Sequence, residues 1–193
     1  MKTTEKISRA TVALTQEQYT DIITMMQTGG HGFRANPRIA AALQLEANLG
    51  LRIGDILQLR LVDIVKDGGR YRLNITEEKT GKKRIFTVPA QIYAFILEYA
   101  NENGIGKADL LFPLTVRAVQ KYLATVCKYL ELENISTHSF RKFFASNIYN
   151  NSGHNLALVQ TVLQHSSPTI TRRYIGVSAD EIEQALTGNV ILI

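Results

Sequence analysis

Four side chains suited to phosphate chemistry lie in one stretch near the C-terminal end of the sequence. His138 and Arg141 are three residues apart. His165 follows a second apolar segment, and Tyr174 comes nine residues later. Guanidinium and imidazole groups bind phosphate oxygens, and a phenol can attack phosphorus to form a covalent ester. Taken singly, each residue is most simply a packing or structural side chain, but their joint spacing indicates a site that binds a phosphodiester and attacks it.

The hydrophobic periodicity of this stretch predicts three helices. The first has a phenylalanine-rich apolar stripe, with His138 nearly opposite the stripe and Arg141 at its edge. A second amphipathic helix ends at His165. Ser167, followed by a proline, predicts the N-cap of a third short helix that carries Tyr174 near its second turn.

A further arginine lies upstream, in the segment NLGLRIGDIL. Arg52 comes two residues after Gly50, which is placed to end a helix. Asp55, three residues later, could pair with Arg52 and fix the plane of its guanidinium, which would then match two phosphate oxygens. By itself such a pair is more often a structural salt bridge than a ligand site.

A β-hairpin is predicted next. The turn at residues 67–69 precedes two β-prone runs, residues 71–76 and 84–89, joined by a charged tip. Such a tip is usually a solvated loop. A lysine on it could nevertheless reach into a groove and donate a proton, because desolvation beside other cations shifts its pKa. Lys79, before the turn at Gly81, is the best placed.

Composition favours a polyanionic partner and a reducing compartment. The 193 residues are 45% hydrophobic and carry a net charge of +5, with a pI near 9.3. The single cysteine, Cys127, excludes an internal disulfide framework and is interpreted as a core residue. The N-terminus lacks the apolar run of a signal peptide, and no stretch is as long as a membrane span. We therefore expect a cytoplasmic protein.

The predicted fold is mainly α with a small antiparallel β-sheet, an α+β arrangement. Residues 1–13 are polar and are interpreted as a flexible lead-in to one folded domain, residues 14–178. Residues 179–193 are predicted to form a helix and an apolar tail, NVILI. A β-prone terminus of this kind needs a sheet edge or a groove, so we expect it to make protomer contacts, docking on its own chain or on another copy.

Together these motifs resemble the catalytic domain of the tyrosine recombinases, the phage integrase family. The resemblance runs from about residue 15 to residue 178, and six positions match in order and spacing. It is carried by Gly50-Leu51-Arg52-Ile53-Gly54-Asp55-Ile56-Leu57, Lys79, His138-Ser139-Phe140-Arg141, Leu163-Gln164-His165-Ser166-Ser167 and Tyr174.

The resemblance implies strand cleavage through a covalent intermediate. Tyr174 would attack phosphorus, leaving a 3′-phosphotyrosyl link and a free 5′-hydroxyl. Lys79 would protonate the departing 5′-oxygen as general acid. Attack by a second 5′-hydroxyl would then join a new partner strand, so that the enzyme integrates, excises or inverts DNA.

The remaining site residues would stabilise the transition state. The resemblance implies that Arg52 and Arg141 hold the non-bridging oxygens, that His138 and His165 add hydrogen bonds, and that Asp55 supports them. No cofactor and no metal are expected, because the cationic side chains supply the electrostatic stabilisation that metals often give.

The resemblance also implies partners. These are double-stranded DNA and further copies of the chain, assembled on DNA as a tetrameric synapse, with an accessory DNA-bending or directionality protein as an additional partner. The encoding genome would be that of a bacterium, a phage or a mobile element.

The sequence departs from the family pattern at two points. Gln164 replaces a glycine common before the histidine. Most members also carry an N-terminal core-binding domain, for which too few residues precede the first helix here. We therefore expect either an excised catalytic domain or a compact recombinase resembling the fimbrial DNA inverters.

Two other functions fit the same residues. One is a type IB topoisomerase, which would use similar chemistry to relax supercoils as a monomer. The other is a DNA-binding module that retains the site without using it, although no catalytic position has been lost.

Overall fold

The computed structural model describes residues 11–175, apart from the side chain of Arg173. The chain divides into two compact units, Met1–Phe144 and Ala145–Ile193. The predictions made for residues 1–10 and for the tail, residues 179–193, lie outside the described residues.

The described residues form eight α-helices, one short 3₁₀ helix and a three-stranded antiparallel sheet, which confirms the predicted fold class. In chain order the elements are α1 (Gln16–Thr28), α2 (Pro37–Leu49), α3 (Ile53–Leu57), the 3₁₀ helix (Leu61–Asp63), β1 (Ile64–Asp67), β2 (Arg70–Thr76), β3 (Lys83–Val88), α4 (Ala90–Glu102), α5 (Val116–Tyr129), α6 (Thr137–Asn151), α7 (Leu156–Leu163) and α8 (Pro168–Ile175).

Side-chain caps fix the starts of α1 and α2. Thr15 and Gln18 form a reciprocal capping box at α1, with both hydrogen bonds at 3.1 Å. Asn36 Oδ1 accepts a hydrogen bond from the Ile39 amide at 3.1 Å, and a proline opens α2. These contacts are local, so they follow from the sequence alone.

The sheet has one strand more than the two that were predicted. β1 pairs with β2, and β2 with β3, in the order β1-β2-β3. Ile64, Leu73 and Phe86 share one register position across the three strands. β1 escaped prediction because it is four residues long and only its first residue is buried, so it has no alternating pattern to detect.

The hydrophobic core of the first unit is built around α2, most of which is buried. The first turns of α6 also contribute to it. Tyr19 of α1 stacks on Phe143 with 4.9 Å between ring centroids and meets Phe140 edge on at 6.2 Å. The apolar stripe predicted for α6 is therefore confirmed at these two phenylalanines, and their burial fixes the rotation of the helix that carries His138 and Arg141.

The second unit contains the short helices α7 and α8. Asn155 Oδ1 caps α7 by accepting from the Leu158 amide at 3.0 Å. Ser167 Oγ accepts from the Ile170 amide at 3.4 Å, which confirms the predicted cap of α8. Within residues 11–175, no helix is long and apolar enough to cross a membrane.

Candidate active site

Arg52 lies at the N-cap of α3, and its carboxylate partner is on the hairpin. Its side chain is 23% exposed, and Nη1 lies 2.6 Å from Glu77 Oε2. The predicted pairing of Arg52 with Asp55 is therefore wrong in its partner. Asp55 Oδ1 instead accepts a hydrogen bond from the Glu78 amide at 3.0 Å. The tertiary fold sets these partners, because strand pairing brings Glu77 and Glu78 to α3 from more than twenty residues away.

Arg141 is buried, although its position on the helix had suggested an edge. Its side chain is only 1% exposed, and Nη1 donates to the carbonyl oxygen of Gly50. Gly50 has φ +59°, and a β-carbon there would lie 2.3 Å from the ring of Phe144. Only glycine fits both constraints. The end of α2 therefore holds the guanidinium plane of Arg141 in place.

Two buried carboxylates surround Arg141. Burial raises the pKa of Glu46 well above its usual value, the charge of Arg141 lowers it in part, and Asp55 raises it further. Burial also raises the pKa of Asp55. Glu46 Oε2 and Asp55 Oδ2 are buried and hydrogen-bond to none of the described residues. Sequence reasoning missed Glu46, although its spacing of three residues from Leu43 and from Leu49 places it on the buried face of α2.

Lys79 lies on the tip of the hairpin between β2 and β3, as predicted. The Glu77 amide donates to the Lys82 carbonyl at 3.0 Å, and the Gly81 amide donates to the Glu77 carbonyl at 2.8 Å. Gly81 closes the turn with φ +64°. Lys79 is exposed within this turn. The backbone of the tip is thus ordered while the lysine side chain can reach outward.

His138, in the first turn of α6, is surrounded by positive charge. Partial burial lowers the pKa of its imidazole. Four cationic side chains lower it further, in decreasing order Arg141, Lys79, Arg52 and Lys142. Four of the predicted site residues are therefore brought together in the first unit, and the imidazole is neutral near pH 7.

We expect Lys79→Ala to raise the pKa of His138 towards its ordinary value, because the substitution removes a nearby positive charge that disfavours the imidazolium. An NMR titration of the imidazole resonances measures this pKa directly. Lys82→Ala is the matched control: Lys82 is exposed on the same turn but is not among the groups that shift His138. An unchanged pKa in Lys79→Ala, or an equal rise in both variants, would contradict the placement of Lys79 beside His138.

His165 and Tyr174 come together within the second unit. Their ring centroids are 4.6 Å apart, with an angle of 65° between the ring planes. His165 Nδ1 lies 3.0 Å from the hydroxyl of Thr171, which is fully buried and orients the imidazole. Sequence reasoning missed Thr171, although it lies one turn before Tyr174 on α8. Gln164 has φ +52°, a left-handed conformation that glycine would adopt without strain.

The positively charged side chains of Arg52, Lys79 and Arg141 are the groups that could bind an anion such as a phosphate. In residues 11–175, no cluster of three or more His, Cys, Asp or Glu side chains could hold a metal ion.

Cys127 is buried, and burial raises the pKa of its thiol to about 11. The thiol therefore stays protonated and packs in the core, as predicted.

Comparison with known families gives a match over most of the chain. The model of the phage integrase family matches residues 13–181. The chain is 34% identical over 143 residues to the probable integrase/recombinase YoeC of Bacillus subtilis, an alignment covering 72% of this chain and 77% of YoeC. It is 28% identical over 153 residues to the tyrosine recombinase XerC of Pelobacter propionicus, covering 75% of this chain and 49% of XerC.

The fold resembles that of solved recombinases. The site-specific recombinase XerH, in a post-cleavage complex with palindromic difH substrate, superimposes with a TM-score of 0.72 and 24% sequence identity. The superposition covers 96% of this chain and 55% of the XerH chain. The chain thus spans about half the length of the XerC and XerH proteins that it matches.

Proposed function

The chain belongs to the phage integrase family, and from this we propose that it is a site-specific DNA recombinase that breaks and rejoins strands through a 3′-phosphotyrosyl intermediate. The observation that carries the proposal is the clustering of three cations near His138: Glu77 joins Arg52 to the turn that carries Lys79, and the Gly50 carbonyl, two residues before Arg52, holds Arg141. Three fixed or reachable cations around a neutral imidazole suit a phosphodiester whose negative charge grows during displacement.

In the proposed cleavage step, the phenolic oxygen of Tyr174 attacks the scissile phosphorus and the bond to the 5′-oxygen breaks. The phenolic proton passes to water as the new bond to phosphorus forms, and His138 adds a hydrogen bond to the phosphate. The departing 5′-oxygen takes a proton from Lys79, leaving a 5′-hydroxyl. Ligation is the reverse, with a 5′-hydroxyl from another strand attacking the phosphotyrosine.

The remaining residues stabilise the transition state. Arg52 and Arg141 bind the non-bridging oxygens, and His165 donates a hydrogen bond to the same phosphate. Burial of Arg141 and its contact with Gly50 fix the plane of its guanidinium before DNA binds, which supports this role because a preorganised group needs no reorganisation during the reaction.

Assembly on DNA is part of the same proposal. The domain that performs the chemistry is residues 14–178, preceded by a lead-in, residues 1–13. Residues 179–193 dock on the hairpin of their own chain or on another protomer of a tetrameric synapse, and an accessory DNA-bending or directionality protein selects the outcome. The site of action is the cytoplasm. The net charge of +5 supports binding to DNA.

Strand exchange on plasmids tests the proposal against its alternatives. We expect recombinant products from a supercoiled plasmid carrying two copies of the DNA that flanks the gene, and none from a plasmid without them. Relaxation of both plasmids without recombinants would instead indicate a type IB topoisomerase. Retarded DNA without any strand breakage would indicate a binding module.

A further inference from the structure

Glu77, at the start of the hairpin turn, is a buried carboxylate with three side-chain donors. It is 1% exposed. Its Oε2 accepts from Arg52 Nη1 at 2.6 Å and from Thr80 Oγ1 at 2.8 Å, while Oε1 accepts from Arg84 Nη1 at 2.9 Å. One carboxylate oxygen therefore joins the arginine of α3 to the residue that follows Lys79.

The carboxylate is held in its charged form. Burial alone would raise the pKa of Glu77, but hydrogen bonds from Arg84, Thr80 and Arg52 outweigh burial and lower the pKa to about 2. Arg84 is itself 1% exposed and its pKa is lowered by burial, an effect that Glu77 counters. Glu77 is thus ionised near neutral pH and is held from β3 by the buried Arg84.

The position of Arg84 shows that Glu77 does more than neutralise a neighbour. The second oxygen of a buried carboxylate needs donors in any case. Here the donors are one N–H of Arg52 and the hydroxyl of Thr80, so this oxygen joins two separate elements. Since Arg84 fixes the carboxylate, any movement of the turn relative to Arg52 breaks a charge-assisted hydrogen bond.

We propose that Glu77 is a positioning residue that fixes the Lys79-bearing turn against Arg52, so that the general acid and the phosphate-binding guanidinium are held in one geometry. The inference rests on the proposed function, because it presupposes that Lys79 protonates the leaving oxygen. Sequence reasoning did not find this role, since it singled out only Lys79 within the charged tip and gave Glu77 no part.

The test separates positioning of Lys79 from a purely structural role by changing the leaving group. In a DNA substrate with sulfur in place of the bridging 5′-oxygen, the leaving group is a thiolate. It needs little or no protonation because a thiol is far more acidic than an alcohol. Single-turnover formation of the covalent adduct is measured on nicked duplexes, with the ordinary and the sulfur-bridged phosphate, for wild type and Glu77→Gln.

We expect Glu77→Gln to slow cleavage of the ordinary substrate by about 10- to 100-fold, the range for misplacing a catalytic group, and to slow the sulfur substrate distinctly less. Glu78→Gln is the matched control: it removes the same charge from the next residue, whose side chain is exposed, and should cleave both substrates at the wild-type rate. An equal defect of Glu77→Gln on both substrates, or no defect, would overturn the proposal.

A second variant keeps the proposal testable if Glu77→Gln does not fold, since that substitution removes the carboxylate that pairs with the buried Arg84. Thr80→Val keeps both arginine contacts and removes only the hydroxyl from the turn, so we expect a smaller defect that again appears on the ordinary substrate and is reduced on the sulfur substrate. A folded Thr80→Val enzyme with wild-type rates on both substrates would overturn the proposal. Wild type that forms no adduct on either substrate would overturn the recombinase function itself, which is a distinguishable result.

Discussion

Tyr174→Phe is expected to abolish the SDS-resistant protein–DNA adduct, lowering its rate of formation by more than about 1,000-fold, as loss of a nucleophile does elsewhere. The phenylalanine ring retains the edge-to-face contact with His165, whose centroid lies 4.6 Å away. Only the attacking oxygen is lost, so DNA binding should persist. The measurement uses nicked suicide duplexes cut from the DNA that flanks the gene, resolved on a denaturing gel.

Tyr149→Phe is the matched control for this experiment. Tyr149 belongs to the same unit and also packs against a histidine ring, that of His154, with 4.8 Å between centroids. Removing its hydroxyl should leave adduct formation within about threefold of wild type, the usual scale for a surface change of less than 1 kcal/mol. Adduct formation by Tyr174→Phe, or equal losses in the two variants, would remove Tyr174 from the role of nucleophile.

Arg141→Lys is expected to reduce the cleavage rate by about 100- to 1,000-fold, the cost of removing one preorganised donor from a developing anion. Arginine can hold the Gly50 carbonyl with one N–H group while presenting others in a planar fork. A lysine carries one point charge and cannot do both. Single-turnover cleavage at saturating protein measures the chemical step apart from DNA affinity.

A matched substitution separates this effect from a general change of cation type. Arg34 is exposed in the loop between α1 and α2, and Arg34→Lys should cleave at the wild-type rate. Thermal unfolding checks that Arg141→Lys is folded at the assay temperature, since its new ammonium group is buried. Cleavage by a folded Arg141→Lys enzyme within a few-fold of wild type would show that the fork of Arg141 is not needed.

Much of the site could be predicted because it depends on the spacing of residues that are close together in the sequence. The Thr15 box and the Asn36 cap fix the starts of α1 and α2, and Ser167 fixes the start of α8. These contacts join residues three apart, so they depend on local sequence and not on the tertiary fold. The same holds for the positions of His138 and Arg141 on one helix.

The partners of those residues could not be predicted, because they come from distant parts of the chain. Arg52 was expected to pair with Asp55 on its own helix, but strand pairing places Glu77 at its guanidinium. The burial of Arg141 depends on Gly50, ninety-one residues away, and on the packing of Phe144 over that glycine. No local pattern encodes either contact.

Residue types and spacing were enough to identify which side chains can do chemistry, on which helices or turns they lie, and which family they resemble. The charge state and the orientation of these groups became visible only in the folded structure. The sequence around three buried polar residues gave no sign of their roles. Glu46 lies among apolar residues of α2, Glu77 lies in a run of charged residues, and Thr171 lies in a short helix. The physical reason is that pKa and orientation depend on burial and on through-space neighbours, and both are set when non-adjacent elements pack.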